Sequence, residues 1–149
     1  MNPITVPSTT IEAIRRHPAF FIVPHIEPDG DCIGSALALD SFLRRIGKRC
    51  YLHNLGPFDR RDIKHLGDRF AGRIDRQTLA REPDACVIVV DCSTIDRIGA
   101  LAEDLTGLPF LVIDHHSSGV EFGNYRFVEP SSPSSSLLVQ LLIEAMGCT

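Results

Sequence analysis

The sequence has no tryptophan, and aromatic residues make up only 7% of its 149 positions. That leaves little material for the stacking platform of a general single-strand-binding channel. It also lacks an excess of positive charge. Fifteen Lys and Arg against nineteen Asp and Glu give a net charge of −4, which argues against a broad basic face for gripping duplex DNA but leaves room for a short local groove. The five cysteines, Cys32, Cys50, Cys86, Cys92 and Cys148, are odd in number and show no C-x-x-C spacing. A thiolate zinc site and a disulfide framework are therefore disfavoured, and a reducing cytoplasm is the expected setting. The opening MNPITVPSTT has no basic stretch followed by an apolar one, so no signal peptide is expected. No apolar run approaches the roughly 20 residues that cross a membrane, and no internal repeat is present. Ser117-Ser118 follow two histidines but lack a G-x-S-x-G elbow, which disfavours a Ser-His-Asp triad.

What remains is an ordinary globular composition, 44% hydrophobic and 23% charged, in a chain of single-domain length. Strand and helix signals alternate. Thr9-Thr10-Ile11-Glu12 has capping-box spacing and predicts a short helix ending before Pro18. FFIVPHI predicts a strand. DCIGSALALDSFLRRIG, from Asp31, predicts a helix with Gly47 at its end. KRCYLHN predicts a second strand, and residues 55–82 predict loop with helical turns. CVIVVDC and FLVIDHH carry unbroken apolar runs, the mark of strands buried on both faces of a parallel sheet. STIDRIGALAEDL between them predicts a helix, with Ser93 and Asp96 in capping-box spacing. YRFVEP predicts an edge strand and SSPSSSLLVQLLIEAMG a serine-capped helix ending near Gly147. The expected fold class is α/β: a doubly wound, mostly parallel sheet with helices on both faces.

Such sheets bind ligands at the carboxyl ends of their strands. Three apolar strands here end in His or Asp: FFIVPHI at His25, CVIVVDC at Asp91, and FLVIDHH at Asp114-His115-His116. With HIEPDGD adding Asp29 and Asp31, residues scattered in sequence would gather at one edge. Mixed imidazole and carboxylate favours Mn²⁺, with Mg²⁺, Co²⁺ or Zn²⁺ compatible. The donors outnumber what one ion takes from protein, so two ions about 3.5–4 Å apart are expected, with a carboxylate shared between them. Such a pair makes hydroxide available near neutral pH and neutralises phosphoryl charge, so the natural reaction is hydrolysis of a phosphate ester or anhydride. Pro28 should hold Glu27 extended, Gly30 permits a positive φ, and Asp31 should open the helix. Along an extended DHH the side chains alternate, so one histidine can ligate while the other meets substrate and the Asp orients a neighbour. Each motif alone has a blander reading: Asp29-Gly30 as a turn dipeptide, Asp31 as a helix cap, Asp91 as a polar strand end.

Together, HIEPDGDCIGSALAL, the Asp91 of VVDCS and Asp114-His115-His116 resemble the DHH phosphoesterases, which include RecJ-like exonucleases and family II inorganic pyrophosphatases. PDGDCIGSALAL, VDCSTIDRIG and SSPSSSLLVQLL look most like the subgroup of oligoribonucleases and 3′-phosphoadenosine-5′-phosphate phosphatases. The resemblance covers roughly residues 20–147. It implies that His25 and Asp29 hold one metal, that Asp31 and His115 hold a second, and that Asp91 bridges both. It also implies that His116 meets the substrate phosphate and that Asp114 supports the histidines.

Three features depart from the family pattern. The fourth motif, a further Asp ligating the second metal, is not supplied after residue 147. The DHH-associated domain is not seen either. The chain thus looks like the N-terminal half of a longer enzyme, one carboxylate short at the second metal. Leu137 stands where the subgroup usually has Glu in a capping box. The implied activity is hydrolysis of short single-stranded oligonucleotides or a nucleoside 3′,5′-bisphosphate. Alternatives are a pyrophosphatase, a single-strand DNA exonuclease, or a metal-binding interaction module without catalysis. No membrane partner is expected, and a homodimer is compatible with the sequence. Elsewhere, His17 reads as capping its own helix, His53 as a surface residue close to the crevice, and Arg44-Arg45 and Arg60-Arg61 as solvated faces. Arg97 is a candidate phosphate contact. The cysteines read as small buried hydrophobes, although oxidation of Cys32 or Cys92 beside the ligands would inhibit.

Overall fold

The computed structural model describes residues 3–147. Cys148 lies outside them. Five strands, β1 (Ala19–Pro24), β2 (Arg49–Leu52), β3 (Cys86–Val90), β4 (Phe110–Asp114) and β5 (Tyr125–Val128), form one sheet in the order β2-β1-β3-β4-β5. Every pairing is parallel. β1, β3 and β4 are buried along their whole length, as their continuous apolar runs require of central parallel strands. The edge strands β2 and β5 are only partly buried.

Helices α1 (Ser8–Arg16), α2 (Gly30–Arg45) and α5 (Ser135–Ala145) lie over one face, where Ile14, Ile33, Leu39, Leu43, Leu138 and Leu142 meet Phe20, Ile22, Ile88, Leu111 and Ile113. The other face carries Phe21, Val23, Val87 and Val89 under Ile98, Leu101 and Leu105, with Ile74 and the short α3 (Arg76–Arg81) at its margin. The sheet is doubly wound. From β1 the chain leaves through α2 to β2 on one side, and from β3 it leaves through α4 (Leu101–Asp104) to β4 on the other. The connections diverge between β1 and β3, which opens a crevice at that point of the edge. Among the described residues, no helix is long and apolar enough to cross a membrane.

Several local expectations are corrected. The first helix starts at Ser8 with Pro7 before it, and no side chain caps it. The Thr9 capping box does not form; instead the Pro7 carbonyl accepts from the Thr10 N–H at 3.1 Å. The region after β3 is not one helix. A 3₁₀ turn (Ile95–Ile98) stops at Gly99, whose φ of +65° breaks the path before α4. A side chain at Gly99 would press on Leu55 at 3.2 Å. The Ser93 and Asp96 box is not used either, since Thr94 precedes the turn without a side-chain cap. The end of α2 follows expectation: Gly47, at φ +88°, and Lys48 donate to Arg44 and Leu43 in a Schellman arrangement. Ser134 caps α5 through the Leu137 N–H.

An ion cluster, buried on its Glu82 side and exposed on its Arg49 side, ties β2 to the segment before β3. Glu82 is 3% exposed. It accepts three bonds from Arg49, at 2.7, 2.8 and 3.2 Å, and one from the Tyr51 hydroxyl at 2.9 Å. Arg49 holds the Glu82 carboxyl below its usual range, against the opposing effect of burial. A depressed carboxylate stabilises the fold above its unfolded pKa and ceases to do so as pH falls through its folded value. Glu82→Gln is therefore expected to cost about 1–3 kcal/mol at pH 7. Urea unfolding of both proteins should show that gap narrowing once the pH drops below about 4.

Candidate metal centre

The sheet register sets the site. Pro24 pairs with Val90, and Val90 with Ile113. The next residues, His25, Asp91 and Asp114, therefore stand in a row across three adjacent strands, at the crevice. Asp91 takes a left-handed φ of +59° immediately after β3, a conformation Asp tolerates better than most residues. Its N–H still bonds Ile113 at 2.9 Å.

Asp91 is 4% exposed and central. Its Oδ2 lies 3.6 Å from His25 Nε2, which is also 4.0 Å from Asp29 Oδ2. Its Oδ1 lies 3.3 Å from His115 Nε2, which is also 3.8 Å from Asp31 Oδ2. The two oxygens of one carboxylate thus face two different His–Asp pairs. Both histidines are fixed from behind. His25 Nδ1 bonds the Ile26 carbonyl at 2.6 Å, and His115 Nδ1 bonds that of Ser132 at 3.2 Å. A ring that donates from Nδ1 leaves Nε2 as a lone pair, the tautomer that binds a metal ion. Burial opposes a charge on His25, but Asp91, Ile26 and Asp29 outweigh it and raise its pKa. The cluster attracts positive charge.

Asp29 and Asp31 have structural duties as well. Asp29, not Asp31, is the N-cap of α2, and its Oδ1 accepts from the Cys32 N–H at 2.9 Å. Gly30 is already helical, and the positive φ falls on Glu27, at +51°, despite the proline after it. Gly30 is small for another reason: a Cβ there would come within 3.2 Å of Asp62 Oδ2. Asp31 reaches across to α5 and accepts from the N–H groups of Ser135 and Ser136, both at 2.9 Å. Burial acts against ionisation, but these N–H groups and His115 lower its pKa.

The histidines of DHH do not point to opposite sides. β4 ends at Asp114, so strand alternation no longer applies, and the two rings lie together with centroids 4.6 Å apart. His116 Nδ1 bonds the buried Asp114 Oδ1 at 2.5 Å, leaving Nε2 free. Asp114 therefore supports His116 alone, because the Ser132 carbonyl holds His115.

A cleft of about 360 Å³ opens over these groups, lined by His25, Glu27, Asp29, Asp91, His116 and Ser93, with Arg60 and Arg97. Arg60 thus belongs to the cleft, not to a remote solvated face. Among the described residues, neither arginine is in an ion pair. Arg97 Nη2 stands 3.3 Å from His25 Nδ1. That nitrogen already donates to Ile26, so the guanidinium has no acceptor there. The break at Gly99 keeps the 3₁₀ turn at the edge, where the Arg97 carbonyl accepts from the Ile26 N–H at 2.7 Å.

His53 is turned away, bonded to the Gly72 carbonyl at 2.7 Å and beside Phe21. His17 reaches the Asp84 carbonyl at 2.9 Å and the Tyr125 hydroxyl at 3.4 Å instead of its own helix. Cys32 lies close to His25 and Asp91. It is fully buried, and burial drives its pKa far up. Burial likewise pushes Cys92 up to about 12. Both stay protonated and inaccessible, which removes the expected route to oxidation. Sequence reasoning missed Asn54. Its side chain donates to the Pro24 and His25 carbonyls at 2.8 and 2.9 Å and accepts from the Gly56 N–H at 2.7 Å, fixing the end of β1. Nothing but its position after a strand marks it.

Residues 19–148 match the N-terminal domain of the DHH family. This chain belongs to the DHH family. A bifunctional oligoribonuclease and PAP phosphatase, NrnA, of Thermus thermophilus is 29% identical over 133 residues, spanning 85% of this chain and 37% of that protein. An exopolyphosphatase-related protein from Bacteroides fragilis superimposes with a TM-score of 0.79 at 25% identity, covering 93% of this chain and 43% of that one. RecJ from Thermus thermophilus, solved in complex with Mn²⁺, shares the fold with a TM-score of 0.52 at 19% identity, over 99% of this chain and 23% of that one. This DHH-family chain therefore spans less than half the length of each.

The capping roles predict an effect separable from any metal. With chelator present, Asp31→Ala should lower stability by about 1–2 kcal/mol, because α5 loses the partner of two N–H groups. Asp29→Ala should cost about 1 kcal/mol through the start of α2. Urea midpoints of the metal-free variants check both.

Proposed function

We propose that this chain carries the dinuclear metal centre of a phosphoesterase acting on short oligonucleotides or a nucleoside 3′,5′-bisphosphate. The observation behind the reading is the placement of Asp91. Each of its oxygens faces one free imidazole nitrogen, and each of those nitrogens is also near a second carboxylate. His25 and Asp29 would hold one ion, Asp31 and His115 the other, and Asp91 both. The donor set fits: oriented Nε2 atoms, carboxylates with lone pairs to spare, and no accessible thiolate. Mn²⁺ suits these nitrogen and oxygen donors, with Mg²⁺ or Co²⁺ as substitutes. Divalent ions bound there supply a hydroxide nucleophile at neutral pH and neutralise phosphoryl charge.

The chain's own residues do the rest. Arg60 and Arg97 flank the cleft as unpaired guanidinium groups, suited to phosphate oxygens. His116, locked through Nδ1 by Asp114, presents Nε2 to the cleft. From there it can hold a proton for the leaving oxygen. Support for the nucleotide substrate comes from the likeness to the Thermus thermophilus oligoribonuclease and PAP phosphatase, a longer protein.

Calorimetric titration with Mn²⁺ tests the centre. The wild type should bind it, and Asp91→Asn should weaken binding by at least about tenfold. Absence of binding by folded wild-type protein would refute the reading. Assays of phosphate release from 3′-phosphoadenosine-5′-phosphate and of mononucleotide release from RNA dimers to pentamers test the substrate. Arg97→Ala should lower kcat/KM about 10–100-fold, the worth of one charge-assisted contact, with Mn²⁺ affinity unchanged.

A further inference from the structure

The serine run at the start of α5 reads in sequence as nothing more than a helix cap, and among these serines it is Ser134 whose side chain provides that cap. Its neighbour does something else. Ser135 is fully buried. Its hydroxyl donates to Asp91 Oδ1 at 2.9 Å, and its N–H donates to Asp31 Oδ2 at the same distance. One residue on α5 thus joins two carboxylates that come from different motifs, 60 positions apart in sequence.

The surroundings of Asp91 make this bond significant. The imidazole nitrogens near it stand at 3.3, 3.6 and 4.0 Å. His25 and His115 already donate from Nδ1 to backbone carbonyls, so in the neutral rings that can bind a metal ion the Nε2 atoms turned toward Asp91 carry lone pairs and do not donate. His116 gives its Nδ1 proton to Asp114. With the histidines in these tautomers, the Ser135 hydroxyl is the one side-chain donor holding Asp91 among the described residues. A carboxylate turns easily about its last torsion, whose energy wells are broad. The hydroxyl fixes that rotation, so that Oδ1 faces His115 and Oδ2 faces His25. It occupies one of about four lone-pair positions on the carboxylate, which leaves enough for cations.

We propose that Ser135 is the positioning residue of this centre. Its hydroxyl sets the orientation in which Asp91 can serve both halves, and its N–H holds Asp31 in step. This rests on the metal-centre reading above. If Ser135 were only a small residue at a buried helix start, removing its hydroxyl would leave cation binding untouched.

The test compares Ser135→Ala, Ser135→Gly and Ser134→Ala in the full chain. Mn²⁺ affinity and stoichiometry are read by calorimetry, and stability is read by thermal unfolding in chelator. Ser135→Ala is expected to weaken Mn²⁺ binding about tenfold or more, as removal of a supporting hydrogen bond around a metal site typically does. Its metal-free melting temperature should fall by a few degrees, because the buried Asp91 loses a hydrogen bond, while Ser134 and Asp31 still cap α5. Ser134→Ala should also lower stability, through loss of the cap, but should keep wild-type Mn²⁺ affinity. Ser135→Gly also lacks the hydroxyl and buries nothing new, so it carries the comparison should the alanine variant not fold. Wild-type Mn²⁺ affinity and stoichiometry in either Ser135 variant would overturn the assignment while leaving the metal centre standing. Failure of the wild type to bind Mn²⁺ would remove the centre itself, and the assignment with it.

Discussion

A single buried carboxylate organises the edge of this sheet. Burying a charge is costly unless it is paired and hydrogen-bonded. Asp91 sits between two histidine nitrogens and under a serine hydroxyl, at the point where the connections of a doubly wound sheet diverge. The parallel register brings His25 and Asp114 level with it. Its left-handed backbone places it directly after a strand that could hardly be more apolar. Taking away the serine hydroxyl would leave that buried charge short of a hydrogen bond.

The groups around Asp91 serve two purposes each. Asp29 caps α2 and Asp31 caps α5, so two carboxylates of the cluster around Asp91 also hold two of the helices covering one face. Asn54 pins the end of β1 by its two carbonyls, and Ser132 orients His115. The site is thus built from helix ends and strand ends, the places where backbone groups need partners in any case. Rigidity at the site and integrity of the fold come from the same bonds.

Much of this was legible in the sequence, because it depends on periodicity. The unbroken apolar runs ending in His25, Asp91 and Asp114 predict central parallel strands and the edge at which their last residues meet. What the sequence did not disclose depends on single backbone angles and on distant contacts. Gly99 divides a segment whose apolar spacing suits one helix. Glu27 adopts a positive φ that its following proline would not suggest. The two DHH rings turn the same way because the strand stops at Asp114, two residues earlier than alternation assumes. Arg60 reaches the cleft, and His17 and Ser135 find partners tens of residues away, contacts that no local pattern encodes.

The chain belongs to the DHH family, and the geometry gives each of its three motifs a physical reason. The most direct test of the account is a crystal structure of the protein grown with Mn²⁺, with the ions located by anomalous scattering. The account predicts two peaks, one between His25 and Asp29 and one between Asp31 and His115, with an Asp91 oxygen on each. A single ion elsewhere, or none with Asp91 still held only by Ser135, would contradict it.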